Sequence, residues 1–227
     1  MPIRFIDPNY MVLDVMQQAN GSYTLFWEAL SGAMVVELVL EELGISYELT
    51  PVNMAAGEHK SARYLALNPT GQVPALALPD GRVIGESAAI ILTIGEQNPG
   101  NRLIPDPSDA CRPAFLRWLI YMAASPYMTF VQFNHPERFL TDPSVHAGLV
   151  ENAKDRLMSQ FTLLENAVDE GPFFFGSEIG ALDLYLFMLI EFFPDHETLF
   201  AGREKLRLLH SKVMERDSAR TVLARHR

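Results

Sequence analysis

The sequence predicts an α/β domain built on a mixed four-stranded sheet, followed by an all-helical bundle domain. Three observations predict this. Up to about Glu96, β-prone and helix-periodic segments follow one another in the order β-α-β, then α, then β-β-α. A proline-rich break, Gln97 to Pro107 (QNPGNRLIPDP), ends that order. Beyond it strand signals largely vanish, and apolar residues recur at steps of three and four. The expected boundaries are an N-terminal extension over 1–21, the α/β domain over 22–98, a linker over 99–107 and the helical domain over 108–227. Domains of ~80 and ~120 residues are ordinary sizes.

Each element has a local reason. Tyr23 to Trp27 (YTLFW) is aromatic and β-prone, which predicts a strand. Val36, Val39, Leu40 and Leu43 recur at helical spacing with Glu37 and Glu41 off that face, which predicts an amphipathic helix over Ala33 to Leu43, closed by Gly44. Ile45 to Val52 reads as a second strand and Ser61 to Leu67 as a short helix. Val73 to Leu78 and Arg82 to Gly85 flank the turn Pro79-Asp80-Gly81 and predict an antiparallel hairpin. Ser87 to Glu96 reads as a helix. The βαβ half implies a parallel crossover, so the sheet is mixed. In the second half, Phe115, Trp118, Leu119 and Met122 share one helical face. Val150, Ala153, Leu157, Phe161, Leu164 and Val168 mark a long helix. Ala181 to Phe193 is apolar nearly all round, which predicts a buried helix. Arg203 to Arg225 predicts one or two terminal helices.

Composition narrows the function. The 227 residues carry a net charge of −10, which argues against nucleic-acid or anionic-membrane partners, since both require clustered Lys and Arg. The longest apolar stretch, Leu184 to Phe193, is interrupted by Glu191 and falls short of the ~20 residues that span a bilayer. The first twenty residues lack the apolar core of a secretory signal. Cys111 is the single cysteine, so neither an intrachain disulfide nor a thiolate metal cluster is expected, which suits a reducing compartment.

Two motifs stand close together: NPTGQVPAL from Asn68 and ESAAI from Glu86. A third, GSEIGALDLYLF from Gly176, sets Asp183 three residues after Gly180 at a helix start, where a carboxylate reaches back to the N-cap backbone. The set resembles the glutathione transferase superfamily from Ser22 to the C-terminus. Its Asn-Pro-x-Gly-x-Val-Pro-x-Leu and Glu/Gln-Ser-x-Ala-Ile signatures match at this spacing. The resemblance implies a thioredoxin-like N-terminal domain, a C-terminal helical bundle, glutathione as co-substrate, no metal, a homodimer and a cytoplasmic location.

The resemblance also assigns roles to residues. It implies a cis Val73–Pro74 bond and backbone pairing of Val73 with the cysteinyl unit of glutathione; by itself, Pro74 also suits a strand start. Glu86 and Ser87 stand where a helix N-terminus attracts a carboxylate and an acid holds an ammonium, matching the zwitterionic γ-glutamyl end. The same pair also serves as ordinary capping. His59 and Lys60 are the cations for the glycyl carboxylate, or solvated surface residues, and Gln72 adds an amide.

Catalysis in the family needs a donor to the glutathione sulfur, because hydrogen bonding to the thiolate lowers its pKa. Trp27 to Ala33 reads WEALSGA. Set on the bacterial beta-type pattern, the cysteine position falls on Gly32 and the first serine on Glu28. Ser31, or backbone amides near Gly32, remain as donors; Ser31 equally suits the N-cap of the first helix. Cys111 is expected in the core or on the surface, not as a nucleophile. A second substrate, a small hydrophobic electrophile, is expected near Arg117, Tyr121, Tyr127, His135 and Arg138. Two functions stay open: a transferase conjugating glutathione to that electrophile, with isomerase or dehalogenase variants on the same fold, and a weakly catalytic or non-catalytic ligand-binding or regulatory protein.

Overall fold

A computed structural model describes residues 22–227; the expected N-terminal extension over 1–21 lies outside the described residues. Strand β1 (Tyr23–Trp27) leads through a loop into α1 (Ala33–Glu42), and β2 (Tyr47–Pro51) follows. A 3-10 turn (Glu58–Lys60) precedes α2 (Ala62–Leu67). The hairpin β3 (Ala75–Ala77) and β4 (Val83–Gly85) then feeds α3 (Ser87–Gln97). The sheet order is β2-β1-β3-β4, with β1–β2 parallel and the other two pairs antiparallel, so the sheet is mixed and four-stranded as expected.

Local grammar explains the joints. Gly44, just past α1, has φ +64, the left-handed conformation that glycine accepts at a helix end. The Ser61 hydroxyl accepts from the Tyr64 N–H and caps α2. Phe26, Val52, Tyr64, Leu67, Val73, Ala75 and Ala77 form one buried cluster that fastens the sheet to α2. Helix α1 departs from expectation. Its apolar positions up to Leu40 are buried, but so is Glu37, which is 0% exposed although the periodicity set it on the outer face. The carboxylate is tolerated there because it is hydrogen-bonded to His226 and Arg225, which remove the penalty of an unpaired buried charge.

After the proline-rich segment all elements are helical: α4 (Arg112–Ala124), α5 (Pro126–Asn134), α6 (His146–Ala167), α7 (Ala181–Glu191), α8 (His196–Phe200), α9 (Glu204–Met214) and α10 (Asp217–His226). Ala153, Leu157, Phe161 and Leu164 form the buried stripe of α6, and α7 is buried from Ala181 to Ile190. Phe130, Phe161 and Phe193 pack edge-to-face with centroids 6.1–6.4 Å apart. Asp183 is buried and accepts from the Gly180 N–H at 2.7 Å and the Phe174 N–H at 2.6 Å. It closes the start of α7, as the motif implied, although Gly180 offers no side chain.

Two compact units result. One holds the described residues up to Gln97 together with Thr221–Arg227, and the other spans Asn98–Arg220. The final seven residues therefore belong with the α/β unit, although their helical periodicity suggested the bundle. Among the described residues, no helix is long and apolar enough to cross a membrane.

Candidate functional site

Strand register brings the two signatures together. Ala75 pairs with Phe26 on one side and with Gly85 on the other. Continued one residue beyond the ladder, the same register lines up Trp27, Pro74 and Glu86. The end of β1, the start of β3 and the entry to α3 thus meet at one edge of the α/β unit.

The NPTGQVP loop is held by its own side chains. Asn68 is 5% exposed. Its Nδ2 donates to the Gln72 carbonyl at 2.8 Å, and the Tyr64 hydroxyl donates to the same oxygen at 2.7 Å. Burial pushes the Tyr64 hydroxyl up to about 12, so it stays a donor at neutral pH. Thr70 Oγ1 donates to Asn68 Oδ1 at 2.9 Å. Gly71 turns the chain with φ +60, and a Cβ there would lie 2.9 Å from the His59 carbonyl oxygen. Lys60 Nζ donates to the Gly71 carbonyl at 3.2 Å. The peptide before Val73 is therefore pinned twice. The Val73–Pro74 bond is cis. Val73 is buried and stands outside the ladder, which begins at Ala75, while the Gln72 side chain is exposed. His59 is half-buried, and its Nδ1 is a buried atom without a hydrogen-bond partner among the described residues.

Glu86 is exposed and has φ +64, an uncommon conformation for a residue with a side chain. Its carbonyl accepts from the Ile90 N–H at 2.9 Å, so it opens α3 with Ser87 as the first helical residue. Gly85 beside it faces the Asn68 amide; a Cβ there would stand 3.4 Å from Asn68 Nδ2. Asn68 thus links the two signatures directly. His59, Lys60, Gln72, Val73, Pro74, Glu86 and Ser87 all lie in this one unit around that loop.

The loop between β1 and α1 is closed on itself. Ser31 Oγ donates to the Glu28 carbonyl at 2.7 Å and accepts from the Ala33 N–H at 3.2 Å. Gly32, buried, occupies the N-cap position of α1, and the Ser31 hydroxyl serves the helix from one residue earlier. Glu28 Oε1 accepts from the Met54 N–H at 3.0 Å, which fixes that carboxylate oxygen. Leu30 has φ +53, and its N–H donates to His226 Nδ1 at 3.1 Å. Tyr23 lies within β1, and its hydroxyl donates to Gln97 at 2.7 Å.

In the helical unit the expected second-substrate residues divide. Arg117 and Tyr121 flank Trp118, the guanidinium 4.3 Å above the indole and the phenol edge-on at 5.6 Å. Tyr127 instead joins the aromatic cluster through Phe192 at 6.2 Å. His135 and Arg138 bracket the 3-10 turn Pro136–Arg138, 3.3 and 4.0 Å from the Glu137 carboxylate. Burial, reinforced by Asp109, pushes the half-buried Cys111 thiol above its ordinary range, which disfavours the nucleophilic thiolate.

Two groups escaped sequence reasoning. Glu191, His196 and His210 bring potential metal-ligand atoms within 4.8 Å of one another, with His210 Nε2 2.7 Å from Glu191 Oε1. They come from three helices, so no spacing announces them. The second is the buried Glu37 with Arg225 and His226. One acidic residue inside the otherwise apolar run Ala33–Leu40 was the available signal.

The fold and the paired signatures define a thioredoxin-like domain joined to helices, as in glutathione transferases. Residues 33–97 match the family described as glutathione S-transferase, N-terminal domain. The chain is 31% identical to glutathione S-transferase 1 of Dianthus caryophyllus over 69% of this chain and 70% of that protein. It is 29% identical to an uncharacterized GST-like protein, YncG, of Escherichia coli K12 over 86% of this chain and 94% of the relative. A solved glutathione transferase homologue from Sulfitobacter, with bound glutathione, superposes with a TM-score of 0.80 at 21% identity, covering 90% of this chain and 98% of that one. This chain belongs to the glutathione S-transferase family.

Proposed function

We propose that this protein is a cytoplasmic, homodimeric glutathione transferase that conjugates glutathione to a small electrophile. One observation carries the reading: the pinned peptide before Val73 lies beside Glu86–Ser87 at the start of an eleven-residue helix. The tripeptide then has a backbone partner in its middle and a helix N-terminus at its zwitterionic end. Val73, outside the ladder, pairs with the cysteinyl unit. Glu86 holds the ammonium, while Ser87 and the helix start take the carboxylate. Pro74 shapes the turn. Gln72, His59 and Lys60 serve the glycyl end; Lys60 keeps two ammonium donors beyond the one spent on Gly71. No metal enters the reaction.

The attacking group is the glutathione thiolate. Donors near its sulfur stabilise the anion and raise its population at neutral pH. Ser31 Oγ–H, once it turns from the Glu28 carbonyl to the sulfur, and backbone amides near Gly32 supply them. Of the residues expected to meet the electrophile, Arg117 and Tyr121 stand together beside Trp118 and are the pair offered to it. Isothermal titration with glutathione tests the binding half: saturable binding is expected in the micromolar-to-millimolar range, and its absence at millimolar glutathione sinks the reading.

A second reading, a transferase-fold protein that holds glutathione without activating it, has one observation in its favour. The Ser31 hydroxyl proton is spent on the Glu28 carbonyl. Ultraviolet difference spectra decide between the two. A thiolate band on adding glutathione, lost in Ser31→Ala, supports the enzyme; binding without that band supports the ligand-holding protein.

A further inference from the structure

The loop carrying Ser31 and Gly32 has a support from the far end of the chain. Leu30 takes φ +53 with its side chain 59% exposed, so neither backbone preference nor burial of its own side chain holds it there. Its N–H donates instead to Nδ1 of His226, whose side chain is 0% exposed. On the other side of the ring, Nε2 lies 3.0 Å from Glu37 Oε2. The ring also packs on Trp27 with centroids 5.1 Å apart. One imidazole therefore touches the end of β1, the loop and α1.

The partners fix the tautomer. A backbone N–H only donates, so Nδ1 must accept and the hydrogen resides on Nε2, pointing at a carboxylate. Glu37 is suited to that role. Burial works against its charge, but the hydrogen bonds from His226 and Arg225 win and hold its carboxyl below the ordinary value. Arg225 Nη1 binds Glu37 Oε1 and also reaches Glu41 at 3.1 Å and the Tyr47 hydroxyl at 2.8 Å. The arrangement is directional: Arg225 and the helix orient Glu37, Glu37 orients the imidazole, and the imidazole holds the Leu30 amide. An aromatic ring of the same shape would fill the space and hold nothing.

We propose that His226 is a positioning residue for the Glu28–Gly32 loop: clamped by Glu37, it holds the Leu30 amide and so sets Ser31 where glutathione's sulfur meets it. The functional half rests on the glutathione-activating reading above. It makes the C-terminal residues part of the machinery of the N-terminal unit, a role separate from contact with substrate.

The test compares the full-length protein with His226→Phe, His226→Gln and the double variant His226→Phe/Glu37→Gln. The double variant removes the carboxylate charge that the first leaves without its histidine. Gln keeps both an acceptor and a donor, so it is the conservative rescue. Amide hydrogen exchange is followed at Leu30 and in the sheet. Loss of one such hydrogen bond is expected to speed exchange at Leu30 about three- to tenfold in both Phe variants, with the sheet unchanged and Gln recovering part of the protection. Glutathione is then added and its thiolate band titrated with pH. The apparent pKa of the bound thiol is expected to rise in the Phe variants while glutathione affinity stays within about threefold, a range a lost contact to the tripeptide would exceed. Unchanged Leu30 exchange in a folded Phe variant overturns the clamp, whatever glutathione does. A wild-type thiolate band whose pKa is the same in all variants overturns its functional half. A wild-type protein that binds glutathione without any band sinks the activating reading, while the exchange experiment still decides the clamp.

Discussion

Two residues in the signature segments take left-handed backbone for different reasons. At Gly71 the fold requires it: φ is +60 and a Cβ would stand 2.9 Å from the His59 carbonyl, a backbone atom that cannot step aside. Gly71→Ala is expected to cost about 1–3 kcal/mol, read as a lower urea midpoint with unchanged slope. At Glu86 the side chain is exposed and φ is +64, so a non-glycine residue is held in a conformation costing roughly 1–2 kcal/mol without packing to repay it. The proposed contact with the ammonium of glutathione gives that side chain a use there. Glu86→Gly should leave stability unchanged or raise it by up to about 1 kcal/mol. Glutathione affinity should fall about tenfold or more, because a charged hydrogen bond to the ammonium is lost. Calorimetry and urea melts on the same variant check both halves. Asn68 shows how far one side chain reaches: it holds the Gln72 carbonyl, accepts from Thr70 and packs on Gly85. Its place in the Asn-Pro-x-Gly motif was legible; its contact with the second motif depends on the β3–β4 register, which no single motif encodes.

At the scale of elements, the helix and strand order followed from period and punctuation because those signals act within one turn or one hairpin. Helix α2 is six residues long and rests on its cap and its buried face, Tyr64 and Leu67. Ser61→Ala removes the acceptor for the Tyr64 N–H and is expected to cost about 1 kcal/mol. Because Tyr64 also holds the Gln72 carbonyl at 2.7 Å, hydrogen exchange should rise through the NPTGQVP loop as well as in α2; a change confined to α2 would contradict that coupling. Helix α1 shows where element-scale reasoning stops. Its spacing predicted an amphipathic helix with Glu37 outside, yet Ala33 through Leu40 are all buried. An apolar stripe says where one face goes. It does not say whether another segment will cover the opposite face.

At the scale of the whole molecule, two buried carboxyls give stability opposite pH slopes, one in each unit. Burial pulls the Glu37 carboxyl up, but the hydrogen bonds from His226 and Arg225 win and hold it below its ordinary 4.5, so its contribution is present above pH 4.5 and lost as pH falls through the lower folded value. Asp183 goes the other way. Burial pushes its carboxyl from 3.8 up to about 7, against the backbone N–H groups of Gly180 and Phe174 that hold it down. The folded state then keeps a proton that the unfolded chain releases. Its contribution is full below pH 3.8 and is lost as pH rises through about 7, on the order of a few kcal/mol in all. Trp27 and Trp118 stand in different units, so single-tryptophan variants report each in urea melts between pH 4 and 8. The Trp118 transition should weaken as pH rises and lose that slope in Asp183→Asn; a rising or flat wild-type profile would refute it. By itself the sequence determined the order of elements, the break near Gln97, the two glutathione-type signatures and the closing role of Asp183, because periods, turns and caps are written in neighbouring residues. Only the tertiary structure decided that Ser31 spends its proton on Glu28, that Glu37 lies inside and that His226 holds Leu30 from 196 positions away. Those outcomes depend on which distant segment covers a face and which donor arrives there, and neither is fixed until the chain has folded.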